Sequence, residues 1–472
     1  MSAPPVLVWF RNDLRIHDHR ALAAAARQGP VVGVFLHCPE QWRAHDHGAN
    51  RLDFLRRGVS ALADDLAGLN IPLLQRDIGD FAAAPEALGA IAEALGARRL
   101  HFNHDYPLDE ARRDQAVTRA LEARGIRVSG HHDGVAFAPG ELLTGQGEPY
   151  RVFTPFSRAW HRHLEAERLA LSPTPAVQAP LAIDGEPLPP RPAMPDEAVV
   201  ASRWPAGSRA AEARLSRFLR YRGRHYQAQR DFPAVAGTSE LSPYLALGML
   251  SHRQCLQAVL TENHGRLAEG DTGLAAWVNE LVWREFYRHI VAAFPAVCRH
   301  RAFQPHTEAL AWRDDEAAFR AWCAGRTGYP IVDAAMRQLV SSGWMHNRLR
   351  MISAMFLSKH LLIDWRRGEA FFMRHLVDGD FCANNGGWQW AASTGTDAAP
   401  YFRIFNPTTQ SRRFDPDGRF IADLVPELSE VASKQRHDPP EAERRAHGYP
   451  TPIVEHKAAR QRALEAFSAL ER

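Results

Sequence analysis

The chain is poor in the features that mark secreted, membrane-spanning and disulfide-stapled proteins. Its 472 residues include only five cysteines and no C-x-x-C pair, which argues against a disulfide framework and for reduced thiols. No run of about 20 apolar residues exists. The N-terminus lacks the basic region and the cleavage site of a signal peptide. We therefore expect a cytoplasmic protein without a membrane partner.

Common phosphate-binding motifs and a strong net charge are also missing. Neither G-x-G-x-x-G nor G-x-x-x-x-G-K-[ST] follows the first apolar run, Val6–Phe10, which leaves a dinucleotide or P-loop site without support. The net charge of +3 does not by itself establish a polyanionic partner, so any nucleic-acid surface must be local. The 23 histidines form no recognisable ligand set, and no metal site is expected.

Short β-branched runs alternate with Ala- and Leu-rich helical patterns in the first part of the chain. This alternation predicts repeated β-α-β units and a doubly wound parallel sheet. The predicted strands are Val6–Phe10, Val31–His37, Ile71–Leu74, Arg99–Asn103 and Ile126–Ser129. The helical patterns cover 18–28, 51–68, 85–96 and 109–124. Because such sheets bind ligands beyond the carboxyl ends of their strands, Trp9–Arg15 lies at an expected ligand edge.

A proline-rich stretch and then a helical half follow. Prolines accumulate between residues 139 and 205, which is typical of a connector between domains. Beyond it helical patterns dominate and no convincing period-2 strand appears. We predict an α/β plus all-α chain, with an α/β domain at 1–135, a connector at 136–207 and a helical domain at 208–472.

One helix face within Trp277–Tyr287 mixes aromatic rings with charges. At helical spacing, Trp277, Glu280, Arg284 and Tyr287 share that face. The rings can stack on a base or an isoalloxazine, and the carboxylate can accept hydrogen bonds from imide N–H groups. A Trp- and Tyr-rich packing helix with a surface ion pair is the alternative, and the motif alone leaves both open.

Three more segments combine residue types suited to a planar or phosphorylated ligand. Gly343–Met351 joins an indole, an amide, a cation and a thioether, and Arg and Asn suit phosphates and base edges. Leu376–Trp390 has two acids around a glycine and then Asn-Asn-Gly-Gly, where glycines permit close backbone approach. Tyr226–Ser242 ends in hydroxyls beside a predicted helix start, which fits either a pyrophosphate site or a simple N-cap.

Together with Trp9–Arg15, these segments resemble the photolyase/cryptochrome family, specifically bacterial class I cyclobutane pyrimidine dimer photolyases, over nearly the whole chain. The resemblance implies an α/β antenna domain, a connector and a helical domain that holds folded FAD. It implies light-dependent DNA repair by a carbon–carbon lyase, which flips a dimer out of damaged DNA and splits it by electron transfer from excited FADH⁻. A cryptochrome-type blue-light photoreceptor on the same scaffold is the alternative.

The resemblance also implies roles for individual residues. Those that match FAD-binding positions are Tyr226, Thr238, Ser239, Glu240, Leu241, Ser242, Trp277, Arg284, Arg350, Asp378, Gly379, Asp380 and Asn384, with Arg350 paired to Asp378 and Asn384 beside flavin N5. Those that match lesion- and DNA-binding positions are Arg230, Glu280, Trp283, Tyr287, Asn347, Arg348, Met351 and Trp390. Glu280 and Asn384 would act in repair. The residues that match the indole chain for flavin rereduction are Trp312, Trp365 and Trp388.

The sequence departs from the family pattern at a few positions. Glu240 stands where the family usually has a basic residue, which puts one phosphate or DNA contact in doubt. The residues that match positions around a folate antenna are His45, Glu110 and Cys298, but Asp109 replaces an Asn and Arg299 a Lys. The antenna is therefore methenyltetrahydrofolate, a deazaflavin or absent. The paired histidines of the (6-4) repair branch are not found, and the absence of a long tail and the amide at Asn384 favour repair. We expect a monomer.

Overall fold

Two compact units make up the chain. The computed structural model describes residues 4–189 and 202–470, so residues 190–201 of the predicted connector lie outside the described residues. The first unit comprises Met1–Arg224 and Ser239–Pro295, and the second comprises His225–Thr238 and Ala296–Arg472. The three-part division at residues 135 and 207 stays a prediction.

A parallel sheet forms the centre of the first unit. Its strands are β1 (Val6–Phe10), β2 (Val31–His37), β3 (Leu73–Asp77), β4 (Arg99–Asn103) and β5 (Arg127–His131). Their order is β3-β2-β1-β4-β5, and each neighbouring pair is parallel. The predicted doubly wound sheet is thus confirmed, and its strand order reverses between β1 and β4, where such sheets commonly bind ligands.

Strands β1, β2 and β4 have the predicted bounds, whereas β3 and β5 are displaced. The prediction Ile71–Leu74 began too early, because Pro72 has no N–H to donate to a ladder. Strand β3 continues instead into polar residues that pair with Phe35, Leu36 and His37 of β2. Strand β5 likewise extends through Gly130 and His131, which pair with the end of β4.

The sheet is flanked and followed by helices. Up to residue 293 they are α1 (Arg20–Ala26), α2 (Pro39–Ala44), α3 (Ala49–Ala67), α4 (Ala84–Leu95), α5 (Leu108–Ala123), α6 (Phe153–His163), α7 (Ser208–Tyr221), α8 (Tyr226–Gln229, in the second unit), α9 (Ser242–Ala246), α10 (His252–Glu262) and α11 (Thr272–Ala293). The remainder are α12 (Glu316–Cys323), α13 (Pro330–Ser342), α14 (Asn347–Met355), α15 (Trp365–His375), α16 (Phe381–Ala392), α17 (Pro407–Phe414), α18 (Arg419–Leu424), α19 (Glu441–His447) and α20 (His456–Ser468). Regular elements described in the second unit are all helical, as predicted.

A buried ion-pair network ties α10 to the α/β part of the first unit. The side chain of Arg253 is 0 % exposed and donates through Nη2 to Oδ1 of Asp133 at 2.6 Å. Its Nε and Nη2 also bind Oδ1 of Asp18 at 3.1 and 3.0 Å. Asp133 in turn pairs with Arg15, and Ser251 donates to Asp18. The two guanidinium groups, of Arg15 and Arg253, therefore neutralise the two carboxylates inside the unit.

The described part of the connector covers the outer edge of β3. The backbone N–H of Glu186 donates to the carbonyl of Leu73 at 2.9 Å. Its carboxylate accepts a hydrogen bond from the N–H of Gln75 at 2.7 Å and pairs with Arg76. The polar groups of this edge strand thus have partners from the connector.

Tryptophan packing organises the core of the second unit. Trp365 and Trp388 are 0 % and 2 % exposed and belong to one hydrophobic cluster with Trp322. Gly368 permits this packing, because a Cβ at that position would lie 2.1 Å from the Trp388 ring. Helices α15 and α16 can therefore approach closely only because residue 368 has no side chain.

The described residues contain neither a membrane-spanning helix nor a cluster of metal ligands. Among the helices of residues 4–189 and 202–470, none has the length and hydropathy needed to cross a bilayer. Nor do any three His, Cys, Asp or Glu residues in those ranges converge in a way that would hold a metal ion.

Candidate functional site

Helix α11 supplies the candidate site residues of the first unit. Asp271 caps its N-terminus by accepting a hydrogen bond from Leu274 N at 3.0 Å. Trp277 is 3 % exposed and packs against Phe218 with ring centroids 5.0 Å apart. The guanidinium of Arg284 donates to the carbonyls of Gly134 and Leu245 at 3.1 and 2.9 Å. Both predicted FAD-binding side chains are therefore held by the protein itself.

Trp283, a predicted lesion-binding residue, is held by an aromatic stack. Its ring lies parallel to that of Phe153, with centroids 3.6 Å apart and an angle of 8° between planes. Tyr287 contacts the same indole at 5.6 Å. Since Phe153 covers one face, a base can stack only on the other face of Trp283. Glu280, one turn before Arg284 on α11, is half-buried.

The segment Ser239–Ser242 carries an acid where the family has a base. Glu240 adopts a left-handed backbone conformation with φ +51°. Its carboxylate bridges two guanidinium groups, at 3.0 Å from Arg203 and 2.6 Å from Arg214. Leu241 is 1 % exposed and Ser242 is exposed. Helix α9, which starts at Ser242, has only five residues, so the predicted N-terminal anion site has little helix behind it.

In the second unit, the acidic Asp-Gly-Asp segment lies at the start of α16. Arg350 Nη2 donates to both carboxylate oxygens of Asp378, at 3.0 and 2.8 Å, and this confirms the predicted pair. Arg350 Nε also donates to the carbonyl of Met345 at 2.8 Å. Asp380 caps α16 by accepting from Ala383 N at 3.0 Å. Gly379 between the two acids is buried.

The orientation of the Asn384 amide follows from one contact. Its Nδ2 lies 3.1 Å from the backbone carbonyl of Glu369. A carbonyl can only accept, so the NH₂ group must face it and Oδ1 must point the other way. Within the described residues no group donates to that Oδ1. Asn384 therefore presents Oδ1 as an acceptor that a ligand could use.

Glu369 is a residue that the sequence did not single out. Its carboxylate, 2 % exposed, accepts from Asn385 Nδ2 at 2.8 Å and contacts His300 Nδ1 at 3.0 Å. Its backbone carbonyl holds Asn384. No local pattern around position 369 marks this role, because its partners lie 15, 16 and 69 residues away in the chain.

The predicted DNA contacts Arg230 and Arg348 have partners of their own. Arg348 Nη2 binds Asp231 at 2.9 Å, and its guanidinium lies 4.3 Å from the Phe414 ring. Arg230 lies over the ring of Tyr226 at 5.2 Å. Asn347 is exposed. Asp231, directly after Arg230, could have been noticed in the sequence as a competing acid.

His346 sets the start of the helix that carries three of these residues, Asn347, Arg348 and Met351. Burial lowers the pKa of His346 to about 4, so its imidazole is neutral at pH 7. Nδ1 can therefore accept the backbone N–H of Arg348, at 3.2 Å, and cap α14. Met351, one turn further along, is half-buried.

The three predicted electron-transfer indoles occupy different depths. Trp365 and Trp388 lie in the core, whereas Trp312 is half-buried at the edge of the same cluster. Trp312 also packs against a second cluster formed by Leu310, Leu362 and Phe467. Trp390, predicted at the lesion, is half-buried on α16. This gradation from core to surface is what a chain of indoles reaching solvent requires.

Two of the three predicted antenna residues lie together in the first unit. His45 Nδ1 is 3.6 Å from Glu110 Oε1, and its Nε2 is 3.3 Å from Asp109 Oδ2. Burial raises the pKa of Glu110, and the neighbouring His45 opposes this shift. Cys298 belongs to the second unit and is half-buried.

The ligand edge expected at Trp9–Arg15 is filled by protein groups. The guanidinium groups of Arg11 and Arg113 both lie over the Trp9 ring, at 4.2 and 4.8 Å from its centroid. Arg11 and Arg113 also pair with Asp114, at 3.3 and 2.9 Å. The charged side chains at this edge thus pair with one another, whereas the buried Trp9 Nε1 and Arg11 Nε have no hydrogen-bond partner within the described part of the chain.

Comparison with known proteins adds to this geometry. Residues 6–179 match the family model described as DNA photolyase, and residues 277–469 match that of the FAD binding domain of DNA photolyase. The deoxyribodipyrimidine photo-lyase of Salmonella typhimurium is 46% identical over 99% of each chain. That of Escherichia coli is 46% identical over 98% of each chain.

Solved structures of similar fold cover the whole chain. A class III photolyase from Agrobacterium tumefaciens matches with a TM-score of 0.89 and 36% identity, over 100% of this chain and 98% of that one. A cryptochrome from Synechocystis matches with a TM-score of 0.85 and 28% identity, over 99% and 100%. An archaeal photolyase from Sulfolobus tokodaii, solved with two FAD molecules, matches with a TM-score of 0.79 and 26% identity. The match covers 98% of this chain and 99% of that one.

Proposed function

Since this chain belongs to the DNA photolyase family, we propose which of its residues carry out the light-dependent repair of pyrimidine dimers in DNA. The chain is a DNA-repair lyase with an FAD-binding domain. The observation that carries this function is the 46% identity to two deoxyribodipyrimidine photo-lyases across the full length. Signalling of the cryptochrome kind is not favoured, since the full-length relatives at 46% identity are both photo-lyases.

The residues proposed to hold FAD are those that match the family's FAD-binding positions. They are Tyr226, Thr238, Ser239, Glu240, Leu241, Ser242, Trp277, Arg284, Arg350, Asp378, Gly379, Asp380 and Asn384. Asn384 supports this proposal most directly, because its Oδ1 is an unused acceptor fixed in orientation by Glu369. FADH⁻, when bound and excited by light, would supply the electron that opens the cyclobutane ring, and the electron would afterwards return to the flavin.

The lesion pocket is proposed to consist of Glu280, Trp283, Tyr287, Asn347, Met351 and Trp390. Trp283, braced by Phe153, offers one rigid face for stacking. Glu280 accepts hydrogen bonds from the imide N–H groups of the dimer and orients it. A dimer has lost its normal stacking and pairing, so turning it out of the duplex costs less than extruding an intact base, as the photolyases illustrate.

Replacing Glu280 by alanine is expected to lower the repair yield per absorbed photon while FAD stays bound. The carboxylate contributes to the orientation of the dimer. Loss of one oriented hydrogen bond of this kind lowers the rate of the reaction about tenfold or more in other enzymes. The measurement is the quantum yield of dimer splitting by reduced protein at saturating DNA. Glu262→Ala, an exposed acid at the end of α10, is the control. An unchanged yield in Glu280→Ala would remove Glu280 from the proposed mechanism.

The affinity for dimer-containing DNA is expected to fall as salt is added. Phosphate neutralisation by Arg230 and Arg348 releases counterions, and each phosphate contact contributes roughly 0.9 to the slope of log K against log salt. Arg348→Ala should reduce the slope by about 1. Asp231→Asn, which frees Arg348 from its ion pair, should strengthen binding. A slope that is flat, or insensitive to both substitutions, would contradict a DNA surface at these residues.

A second chromophore and the cellular setting are further parts of the proposal. We propose an antenna, methenyltetrahydrofolate or a deazaflavin, beside His45 and Glu110, which contact each other in the first unit. The archaeal photolyase with two FAD molecules supports a second cofactor, since a light-harvesting cofactor is inferred for that protein. We also propose a cytoplasmic, monomeric enzyme that responds to blue light.

One experiment tests the repair function directly. A thymine-dimer oligonucleotide is incubated with the reduced protein, in darkness or under blue light, and the absorbance of restored thymine is followed. Recovery in light only is expected. A bound and photoreducible flavin without recovery would refute repair and favour the photoreceptor alternative.

A further inference from the structure

Glu240 is the acid of a half-buried ion triplet in the first unit. Its two carboxylate oxygens are used separately, Oε1 by Arg203 Nη2 at 3.0 Å and Oε2 by Arg214 Nη1 at 2.6 Å. The carboxylate is 25 % exposed, so water screens it only in part. The triplet joins three separate pieces of chain: the end of the connector, helix α7 and the Ser239–Ser242 segment.

The two arginines are themselves fixed by one indole. The ring of Trp204, which is 0 % exposed, lies 5.4 Å from the guanidinium of Arg203 and 4.9 Å from that of Arg214. Tyr244 in α9 donates to the carbonyl of Pro205 at 2.8 Å. Both guanidinium groups therefore contact one buried indole, which restricts where they can lie in the triplet.

The backbone at Glu240 needs such support. A residue with a Cβ at φ +51° is in the left-handed region, which is unfavourable unless surrounding contacts compensate. The double ion pair of the side chain is the contact that fixes this conformation. The turn at Glu240 in turn determines where the N–H groups and hydroxyls of Ser239 and Ser242 stand.

The charge balance at this position has a consequence for a bound phosphate. Two guanidinium groups face one carboxylate, so the triplet retains a net positive charge although its segment residue is acidic. We propose that Glu240 is a positioning residue for cofactor retention: bridged by Arg203 and Arg214, it holds Ser239–Ser242 in the conformation that receives the FAD phosphates, and the two guanidinium groups neutralise its carboxylate so that it does not repel them. The inference rests on the proposed function only in taking FAD as the ligand.

Release of FAD from the purified holoenzyme, followed as a rise in flavin fluorescence after dilution, tests this role. Glu240→Gln keeps the size and hydrogen-bonding atoms but removes the charge, and we expect release about tenfold faster. The matched control is Glu427→Gln. Glu427 is 26 % exposed and binds Arg337 through both carboxylate oxygens, at 2.7 and 2.9 Å, in the second unit. Its loss is expected to leave the release rate as in the parent.

A charge swap separates positioning from general stability. Glu240→Arg brings three guanidinium groups together and is expected to release FAD faster than Glu240→Gln. Adding Arg214→Glu restores one ion pair of reversed polarity and should slow the release again. Added salt should accelerate release from the parent more than from Glu240→Gln, since only the parent has the ion pairs of Glu240 to screen. If Glu240→Arg fails to fold, the release rate of Glu240→Gln and its dependence on salt still test the positioning role.

The possible outcomes are distinct. Release from Glu240→Gln at the parent's rate, or equal acceleration in the Glu427→Gln control, would overturn the positioning role. The role would also be overturned if the double variant Glu240→Arg with Arg214→Glu released FAD no more slowly than Glu240→Arg alone. Repair by the FAD-loaded parent is measured separately, so failure of dimer recovery would count against the proposed function and leave the result for Glu240 standing.

Discussion

Substitution of Trp312 by phenylalanine is expected to abolish photoreduction of the oxidised flavin in the purified protein. Trp312 is the half-buried member of the three predicted indoles, whereas Trp365 and Trp388 lie in the core. Phenylalanine fills most of the same space but is much harder to oxidise than an indole. Reduction of the flavin under illumination, followed by its absorbance with an external reductant present, is the measurement.

The same variant should affect repair far less when the protein has been reduced chemically beforehand. Repair returns its electron and does not need the indole chain. Trp322→Phe is the matched control, because Trp322 is buried and contacts Trp388 at 6.0 Å without belonging to the predicted chain. Photoreduction that survives in Trp312→Phe, or a comparable loss in Trp322→Phe, would show that the chain has been assigned to the wrong residues.

Replacement of Arg253 by methionine is expected to lower the free energy of unfolding by about 3–5 kcal/mol, the usual cost of removing one partner of a buried ion pair. Burial alone raises the pKa of Asp133, but Arg15 and Arg253 hold it well below its ordinary value. Without Arg253, the carboxylates of Asp18 and Asp133 would stay buried and underneutralised. Urea unfolding of parent and variant at pH 7 measures the difference.

The pH dependence gives this prediction a second signature. A carboxyl group with a lowered folded pKa stabilises the protein above its unfolded pKa of about 4, and this contribution is lost as the pH falls further. The gap between the parent and Arg253→Met should therefore narrow on acidification. Arg224→Met is the control, since the pair of Arg224 with Asp271 is 53 % exposed on the arginine side and contributes less than about 1 kcal/mol. If Arg253→Met lost no more free energy of unfolding than Arg224→Met, a neutralising role of Arg253 would be contradicted.

The fold was largely accessible from the sequence because its elements follow simple patterns. Strands β1, β2 and β4 are apolar runs bounded by breaks, and their ends were predicted without error. Strand β3 starts two residues and ends three residues later than predicted, and the end was missed because its final Gln-Arg-Asp is polar and forms a strand only by pairing with β2. Only tertiary hydrogen bonds make that stretch a strand.

The candidate site could be predicted from the sequence only in part. Motif residues could be placed by resemblance, and the Arg350–Asp378 pair was predicted and found. The residues that fix them could not be predicted, because their partners are remote in sequence. Phe153 stacks on Trp283 from 130 positions away, and Glu369 sets the amide of Asn384 through a backbone carbonyl. Such contacts depend on how helices meet, which no local pattern contains.

The connector that lies along β3 bears on how this protein behaves in crowded solution. An uncovered edge strand is a template on which another chain can add a strand, the first step of aggregation or domain swapping. Here Glu186 already takes the place of such a strand at Leu73 and Gln75. Its carboxylate would also have to leave Arg76 before a foreign strand could pair there. The proline-rich segment thus protects the sheet against self-association while it links parts of the chain.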